Sequence, residues 1–404
     1  MKQIYYAIST MKSQPEKTAQ SSKKILYIIT QSSWGGAQKY VFDLATGIEN
    51  NFDITIAIGK SDGNRDLQEK IKNYGSKIKI VELKHLVRRI SPIHDLLAIF
   101  ELRKLYKQTN PDIIHLNSSK AGILGSISKI KNQKSKIFYT AHGWVFSEPL
   151  SKTRKSLYKF LEKVTAKFKD VIVVLSKHDK NIATKILTVP EKKLQTIALG
   201  IDPMQNSLPR EDARKKLEYL TACKPEHPLV GTIANLYKTK GLDILCKAIA
   251  EKKEKFKNTH FIIIGEGPER DDLESLISNL NLKNVHLLGY IKNASKYTSA
   301  FDLFVLPSKK EGFPYTLLEV LHSDVPIVAT DVGGISEIIR DRETGLIVPS
   351  NSPTELGDAI VFAMQHRNTV QKYANEARKE LKKYSKNNML EQTTQLYNSI
   401  LQQT

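Results

Sequence analysis

The sequence predicts an α/β protein made of two tandem Rossmann-like domains that face each other across a cleft. A chain of 404 residues is too long for one ordinary core and suits two domains of roughly 150 to 200 residues. Short β-branched runs with little polar alternation, typical of parallel strands buried on both faces, alternate with longer amphipathic runs. The alternation restarts in the second half, so we expect each half to form a doubly wound sheet of its own.

The predicted strands follow directly from these runs. In the first half they are 24–30, 52–59, 77–83, 112–117, 136–143 and 170–176. In the second half they are 228–235, 260–267, 285–291, 301–308, 325–334 and 344–349. Helical patterns such as 37–50 and 93–110 lie between them, and the second of these is closed by Pro111. After Pro353 the chain is expected to be helical to its end.

Four segments result from this pattern. Residues 1–22 contain an apolar stretch that is short even for a signal peptide, and we expect a disordered leader. Residues 23–199 are expected to form the first domain and residues 200–380 the second. Residues 381–404 are expected to form a C-terminal helix that packs back on the first domain. The expected hinge lies in 197–212, where several turn-forming residues occur close together.

The formal charge of +20 is unevenly distributed along the chain. Residues 1–200 contain 35 Lys and Arg against 16 Asp and Glu, most densely in 120–169. Such a basic face suits anionic lipid headgroups, a phosphorylated substrate or nucleic acid, and an ordinary solvated surface is the simpler alternative. Aromatic residues and glycines are not interleaved with these lysines as in a base-stacking platform, which argues against nucleic acid.

Cysteine content and hydropathy indicate the compartment. Two cysteines, Cys223 and Cys246, cannot form a disulfide framework and suggest buried thiols in a reducing cytoplasm. No run of about 18 apolar residues occurs, so any membrane contact is expected to be peripheral, on the cytoplasmic face.

Site residues are expected in the loops after the strands, because open α/β sheets bind ligands beyond the carboxyl ends of their strands. Gly35 and Gly36 follow the first strand and allow close approach to the backbone at a helix N-terminus, although a tight turn also explains them. His142 ends the fifth strand and suits sugar hydroxyls or a phosphate, although a lone histidine is often structural. Lys240 precedes a helix, where its ammonium suits a phosphate.

A G-x-G pair at Gly265 and Gly267 resembles half of a dinucleotide fingerprint. Arg270 occupies the position of the third glycine, which argues against a nicotinamide cofactor.

The most informative segment is "EGFPYTLLE", residues 311–319. Gly312 and Pro314 place Glu311 in a loop and favour a helix that begins near Tyr315, with Glu319 about one turn inside it. Two carboxylates on either side of exposed amides suit a nucleotide sugar, because a carboxylate accepts hydrogen bonds from vicinal hydroxyls. The simpler alternative is a carboxylate that complements the helix dipole and an exposed helical glutamate.

This segment and the following "VPIVATDVGGISEIIRDRETGLIVP" resemble the E-x7-E region of retaining family-4 glycosyltransferases. The resemblance extends across nearly the whole chain from Lys23, through "GGAQKYVFDLA", "TAHG", "LGID", the Lys-Gly pair at 240 and 241, and "IIIGEGPERDDLESL". It implies the two-domain GT-B fold, with an acceptor-side first domain and a nucleotide-sugar-binding second domain.

The resemblance also implies roles for individual residues. Glu311 would contact the donor sugar hydroxyls, Glu319 the ribose, and Lys240 the diphosphate. His142 would contact the donor sugar or its phosphate. The remaining donor-binding candidates are Gly35, Gly36, Lys238, Gly312, Phe313 and Pro314. Many family members carry Arg at the position of Asn235, and Lys238 is a candidate replacement; the segment 322–324 also departs from the small residue, Cys and Gly common in the family.

The implied reaction moves a sugar from a nucleotide diphosphate sugar to a hydroxyl of a glycan or lipid-linked acceptor, with retention of anomeric configuration. We expect no cofactor and no metal, since the sequence has no D-x-D pair and no His/Cys metal spacing. The alternatives are a nucleotide-sugar epimerase or phosphorylase of the same fold and a nucleic-acid-binding protein.

Overall fold

The computed structural model describes residues 22–60, 65–129, 134–202, 207–221, 223 and 226–402. It contains two parallel α/β units, one after the other along the chain. Apart from Ser22, the predicted leader lies outside the described residues, as do residues 203–206 of the expected hinge.

The first unit is a seven-stranded parallel sheet in the described part of the chain. Its strands are β1 (Lys23–Ile29), β2 (Phe52–Gly59), β3 (Lys79–Leu83), β4 (Ile113–Leu116), β5 (Lys136–Ala141), β6 (Val171–Val174) and β7 (Leu194–Thr196), in the order β3-β2-β1-β4-β5-β6-β7. Its helices are α1 (Gly36–Ile48), α2 (Asp66–Tyr74), α3 (Pro92–Thr109), α4 (Ser119–Ile127), α5 (Lys152–Thr165) and α6 (Lys177–Lys185). The six predicted strands are all present, and the three-residue strand β7 was not predicted.

The second unit is a parallel sheet in the order β10-β9-β8-β11-β12-β13. Its strands are β8 (Leu229–Ile233), β9 (His260–Ile264), β10 (Val285–Leu287), β11 (Leu303–Leu306), β12 (Ile327–Thr330) and β13 (Leu346–Val348). The helices are α7 (Arg210–Thr221), α8 (Leu242–Glu251), α9 (Arg270–Asn279), α10 (Tyr315–Leu321), α11 (Ile335–Ile338), α12 (Pro353–Gln365), α13 (Arg367–Glu380) and α14 (Lys386–Gln402). All six strands predicted here are present.

The inner strands of the sheets are buried on both faces, which explains their apolar sequences. In β1, Ile25 to Ile29 are all at most 1% exposed. Ile25 is paired with Ile54 on one side and Ile113 on the other, so the central strand has apolar neighbours in both directions. Three helices of the first domain are capped by serines: the side chains of Ser118, Ser151 and Ser176 accept hydrogen bonds from the first turns of α4, α5 and α6.

The glycines of the G-x-G pair are explained by packing. Gly265 has a φ of +151°, and a Cβ there would lie 1.9 Å from the carbonyl oxygen of Ala234. A Cβ on Gly267 would lie 2.5 Å from the carbonyl oxygen of Leu236. The pair lets the loop after β9 lie against the loop after β8, which requires no nucleotide cofactor.

The last helix returns to the first domain. The Tyr397 hydroxyl of α14 lies 3.1 Å from the Tyr27 hydroxyl on β1 and 2.5 Å from Nδ1 of His115 on β4. Nε2 of His115 lies 2.7 Å from the hydroxyl of Thr140 on β5. Burial lowers the pKa of His115 to about 3, so its ring is neutral within this buried chain of hydrogen bonds.

Among the residues that the structure describes, no helix combines the length and the apolar character needed to cross a bilayer.

Candidate active site

The loops after β5, β11 and β12 meet between the two domains. Gly143, with a φ of +87°, follows β5 and lies directly against Gly312 in the loop after β11. A Cβ on Gly312 would lie 3.0 Å from the Gly143 nitrogen and from the carbonyl group of His142. Two domains thus approach each other here through backbone, at the carboxyl ends of both sheets, where ligands bind in open α/β folds.

Beside this contact lies an open cavity of about 180 Å³ that is lined from both domains. The first domain contributes Trp144, Ser147, His178, Asp179 and Ile182, and the second contributes Lys309, Lys310, Glu311, Asp331, Val332 and Gly333. Glu311 is the predicted site residue in this lining. The cavity therefore places one of the two motif carboxylates in the space between the domains.

Glu311 is held by two donors. The Lys240 ammonium lies 2.7 Å from its Oε1, and the Ser308 hydroxyl donates to the same oxygen at 2.7 Å. The Glu311 side chain is 8% exposed and that of Lys240 25% exposed. Oε2 has neither of these partners. The structure thus brings together two residues that were predicted from separate loops to bind the sugar and the phosphate.

The loop that carries Glu311 is shaped by the glycines after β12. Gly333 has a φ of +59°, and a Cβ there would lie 1.9 Å from the Glu311 carbonyl oxygen. The Gly334 nitrogen donates a hydrogen bond of 2.8 Å to the Gly312 carbonyl oxygen. Side chains at these two positions would displace the Glu311 loop, so both glycines belong to the support of the site.

Phe313 and Pro314 are buried. The Phe313 ring lies 5.5 Å from the ring of Tyr384 in the core. Pro314 caps α10, which begins at Tyr315 as the sequence predicts. Any contact of either residue with a donor would therefore be made by its backbone.

Glu319 lies on α10 and has a different set of neighbours. The charges that act on it are those of Lys39 and Asp43 on α1, which form an ion pair of 2.7 Å with each other. The Lys39 ammonium also lies 4.8 Å from the centre of the Tyr315 ring. Burial raises the pKa of Glu319, and Lys39 opposes this rise. No described contact joins Glu319 with Glu311, so the second carboxylate lies beside the first domain's α1.

His142 presents a polar atom without a partner. Its Nε2 is buried and has no hydrogen-bond partner among the described residues, while its ring lies 5.0 Å from that of Tyr40, edge to face. Burial lowers the pKa of His142 to about 3. The ring is therefore neutral at physiological pH in this structure, which suits a hydrogen bond with a hydroxyl.

The remaining predicted residues lie at the border of the site. Gly35 has an extended φ of −168°, and a Cβ on Gly36 would meet the Tyr315 ring at an ordinary 3.6 Å. Neither position requires a glycine by its backbone angles. Lys238 is largely exposed, and its ammonium lies 3.9 Å from Glu269. Lys238 therefore forms its ion pair with Glu269 and takes no part in the pair between Lys240 and Glu311.

Sequence analysis missed five titratable residues of the cavity, and Asp179 is the buried one among them. Its Oδ2 is buried and has no hydrogen-bond partner in the described part of the chain. Burial raises the pKa of Asp179 to about 7, against the opposing effects of Ser176 and Lys310. Asp179 follows a buried strand and lies in the first turn of α6, so a search of every loop after a strand would have found it.

The two domains are also joined by polar contacts near the cavity. Lys310 forms an ion pair of 3.0 Å with Glu148 of the first domain. The backbone nitrogen of His178 donates to Oε1 of Glu337 at 3.1 Å. These contacts hold the arrangement of the two domains in which the cavity is formed.

Comparison with known families divides the chain in the same way. The model of the family described as Glycosyltransferase Family 4 matches residues 34–205. The model described as Glycosyl transferases group 1 matches residues 218–380. The first match covers the seven-stranded unit after β1, and the second covers the unit that carries Lys240, Glu311 and Glu319.

Curated relatives match over nearly their whole length. The chain is 27% identical over 350 residues to the UDP-Gal:alpha-D-GlcNAc-diphosphoundecaprenol alpha-1,3-galactosyltransferase of Escherichia coli, covering 85% of this chain and 89% of that protein. It is 27% identical over 338 residues to the O-antigen biosynthesis glycosyltransferase WbnH of Escherichia coli, covering 83% and 88%. Anabaena HepE, solved with UDP and glucose, has the same fold, with a TM-score of 0.78 at 19% identity over 93% of this chain and 100% of that chain.

Proposed function

Because this chain belongs to the family-4 glycosyltransferases and has the GT-B fold, we propose that it transfers a sugar from a nucleotide diphosphate sugar to a hydroxyl of a glycan or lipid-linked acceptor, with retention of anomeric configuration and without a catalytic metal ion. The observation that carries the proposal is the Lys240 and Glu311 pair, held at 2.7 Å beside the cleft between the domains. One partner supplies a positive charge and the other supplies acceptor oxygens, which are the two requirements of a sugar pyrophosphate.

The chemical barrier lies in breaking the bond between the anomeric carbon and the diphosphate oxygen. Negative charge grows on the departing diphosphate, so a cation fixed at that position accelerates the reaction. Lys240 is assigned this role. The acceptor hydroxyl forms the new bond to the anomeric carbon on the face that the diphosphate leaves, and its proton passes to a diphosphate oxygen. Cationic side chains carry the charge stabilisation, and this supports turnover without a divalent ion.

Glu311 is assigned to the sugar. Its Oε1 is held by Lys240 and Ser308, which fixes the side chain and leaves Oε2 for donor hydroxyls. His142, neutral and with a buried Nε2 that lacks a partner, is assigned a hydrogen bond to a donor hydroxyl across the Gly143 and Gly312 contact. Glu319 is assigned to the ribose.

The relatives guide the choice of substrates. The Escherichia coli galactosyltransferase uses a UDP-sugar and a diphosphoundecaprenol-linked acceptor, and HepE was solved with UDP and glucose. We therefore infer a UDP-sugar donor and a polyprenyl diphosphate acceptor used in polysaccharide biosynthesis.

The test incubates the purified chain with a panel of sugar nucleotides and a polyprenyl diphosphate sugar, with EDTA present. The expected result is acceptor-dependent release of nucleoside diphosphate and a product whose anomeric configuration, read by NMR, equals that of the donor. Inverted product or loss of turnover in EDTA would contradict the corresponding part of the proposal. Free epimerised sugar nucleotide without acceptor would identify an epimerase instead.

We further propose that the first domain binds an anionic membrane surface. Helix α3 has two apolar stripes: Ala98, Leu102 and Leu105 are buried, whereas Ile93, Leu96, Leu97 and Phe100 are 40% to 73% exposed at helical spacing. Helix α5 exposes Leu157 and Phe160 at 46% and 63%. A protein that stays in water rarely exposes so many large apolar side chains on adjacent helices.

Basic residues surround this surface, which we name the α3/α5 face. Arg88 and Arg89 precede α3, and Lys152, Lys159 and Lys163 are exposed on α5. Both helices cover the same side of the first sheet, with α4 packed against each. An apolar stripe flanked by lysines is the pattern of a helix that lies in the interface of an anionic bilayer, where a lipid-linked acceptor would be found.

Vesicle sedimentation tests this surface. Vesicles rich in anionic lipid should retain the protein at low salt and release much of it at high salt. Leu96→Glu combined with Phe160→Glu should abolish retention. Leu220→Glu, which changes an exposed leucine on α7 of the second domain, serves as the control away from the α3/α5 face. Equal binding to neutral vesicles, or unchanged binding by the double variant, would refute the proposal.

A further inference from the structure

One thiol and two imidazoles that are distant from one another in the sequence lie close together in the second domain. Sγ of Cys223 lies 3.7 Å from Nε2 of His286, and Nδ1 of His260 lies 3.0 Å from the same Nε2. One ligand atom from each of the three residues lies within 4.8 Å of the others. Because 63 and 26 residues separate His286 from Cys223 and His260, no sequence spacing reveals this cluster.

The fold places the cluster away from the candidate active site. His260 is the first residue of β9, His286 lies near the start of β10, and Cys223 follows α7 shortly before β8 begins. In a parallel sheet all strands begin at one end of the sheet, and their carboxyl ends lie at the opposite end. Lys240 and Glu311 follow the carboxyl ends of β8 and β11. The cluster therefore lies at the amino ends of the strands, at the opposite end of the second sheet from Lys240 and Glu311.

We propose that Cys223, His260 and His286 bind a zinc ion that stabilises the second domain. A thiolate and two neutral imidazoles are ligands that zinc prefers, and calcium and magnesium do not. Tetrahedral zinc places two nitrogen ligands about 3.3 Å apart and a sulfur and a nitrogen about 3.6 Å apart. The observed separations of 3.0 Å and 3.7 Å are close to these values, and one ligand atom from each of the three residues lies within 4.8 Å of the others.

Neighbouring groups support the ligands. Nε2 of His260 lies 3.0 Å from Nδ1 of His227, so His260 can donate its second ring proton there while Nδ1 binds the ion. The Thr221 hydroxyl donates a hydrogen bond of 2.7 Å to Sγ of Cys223, which orients the sulfur.

The ion would join three parts of the second domain. Cys223 belongs to the segment between α7 and β8, and His260 and His286 belong to the outer strands β9 and β10. Cys223 already packs in the same apolar cluster as Ile262 of β9. A metal ion there would join Cys223 to the two strands, with water as the fourth ligand.

Cobalt(II) substitution tests the ligands directly. The purified full chain, reduced and stripped with a chelator, is titrated with cobalt(II) under nitrogen. We expect one equivalent to bind with a thiolate-to-cobalt charge-transfer band, and zinc to displace it. Cys223→Ser should abolish the band. Cys246→Ser, which changes the other buried thiol, should retain it, because Cys246 lies outside the cluster.

Thermal unfolding provides an independent measurement. Zinc at about 100 times its Kd should raise Tm by about 5 °C. His286→Gln should remove this rise, and His366→Gln, which changes a histidine at the end of α12, should keep it. Absence of a charge-transfer band in the wild type, or an equal zinc shift in His286→Gln, would overturn the proposal. Because the readouts are cobalt binding and Tm, they are independent of glycosyl transfer.

Discussion

Glu311→Gln tests the centre of the proposed mechanism. The substitution keeps the size of the side chain and removes the charge that Lys240 and Ser308 contact at 2.7 Å. In the proposal, Glu311 accepts hydrogen bonds from donor sugar hydroxyls, and bonds to a charged group are stronger than neutral ones by about 1 to 1.5 kcal/mol each. Two such bonds amount to about 2 to 3 kcal/mol. At 1.36 kcal/mol per tenfold, kcat should fall by about 10²-fold.

The assay measures kcat and KM for the donor at saturating acceptor. A fall in kcat with little change in KM would show that Glu311 stabilises the transition state more than the bound donor. A rise in KM alone would show that Glu311 binds the donor and the transition state equally. Glu343→Gln is the matched control, because this carboxylate is 66% exposed and paired with Arg340 outside the site. It should retain the wild-type rate.

Lys240→Gln completes a double-mutant cycle. Lys240 and Glu311 contact each other, so the effects of the two substitutions should not add. A kcat within about threefold of the wild type for Glu311→Gln, at unchanged Tm, would refute the assignment of Glu311 to the reacting sugar.

Three further outcomes are expected. Gly312→Ala should lower kcat/KM by about tenfold, because its Cβ would lie 3.0 Å from the backbone of His142 and force the domains apart. Gly36→Ala, whose Cβ would make an ordinary 3.6 Å contact, should have a smaller effect. Steady-state rates measure both variants, and equal effects would contradict the steric argument. Burial raises the pKa of Asp179 from 3.8 to about 7, so the folded state holds a proton that the unfolded state has lost, and this group reduces stability as pH rises from about 4 to 7. The Tm of Asp179→Asn minus that of the wild type should therefore increase as pH rises from 5 to 8. A Tm difference that does not change with pH would be inconsistent with the raised pKa of Asp179. Tyr397→Phe removes a hydroxyl that contacts the buried side chains of Tyr27 and His115. The free energy of unfolding, measured by urea denaturation, should fall by about 1 to 3 kcal/mol. An unchanged value would show that Tyr27 and His115 find other hydrogen bonds.

The local geometry of the motif could be read from its residues. A helix that begins at Tyr315 after Pro314 was predicted from the limits that proline places on the backbone, and the structure has α10 at that position. The partners of the motif could not be read in this way. Lys240 lies 71 positions from Glu311, and their contact depends on β8 and β11 being neighbours in the sheet.

Helix α3 shows a second limit. Its apolar residues point in two directions, and periodicity alone does not distinguish the stripe that packs on the sheet from the stripe that faces outward. The sequence therefore predicted a basic first domain, and the packed structure was needed to locate its apolar surface.

The amino-acid sequence by itself determined the alternation of strands and helices and the division into two sheets, because a strand buried on both faces is apolar along most of its length. The tertiary structure decided which side chains meet: Glu311 with Lys240, Glu319 beside Lys39 and Asp43, and Cys223 with His260 and His286. The reason is physical, since periodicity records the burial of one element at a time, whereas contacts between loops depend on the order in which distant strands are assembled.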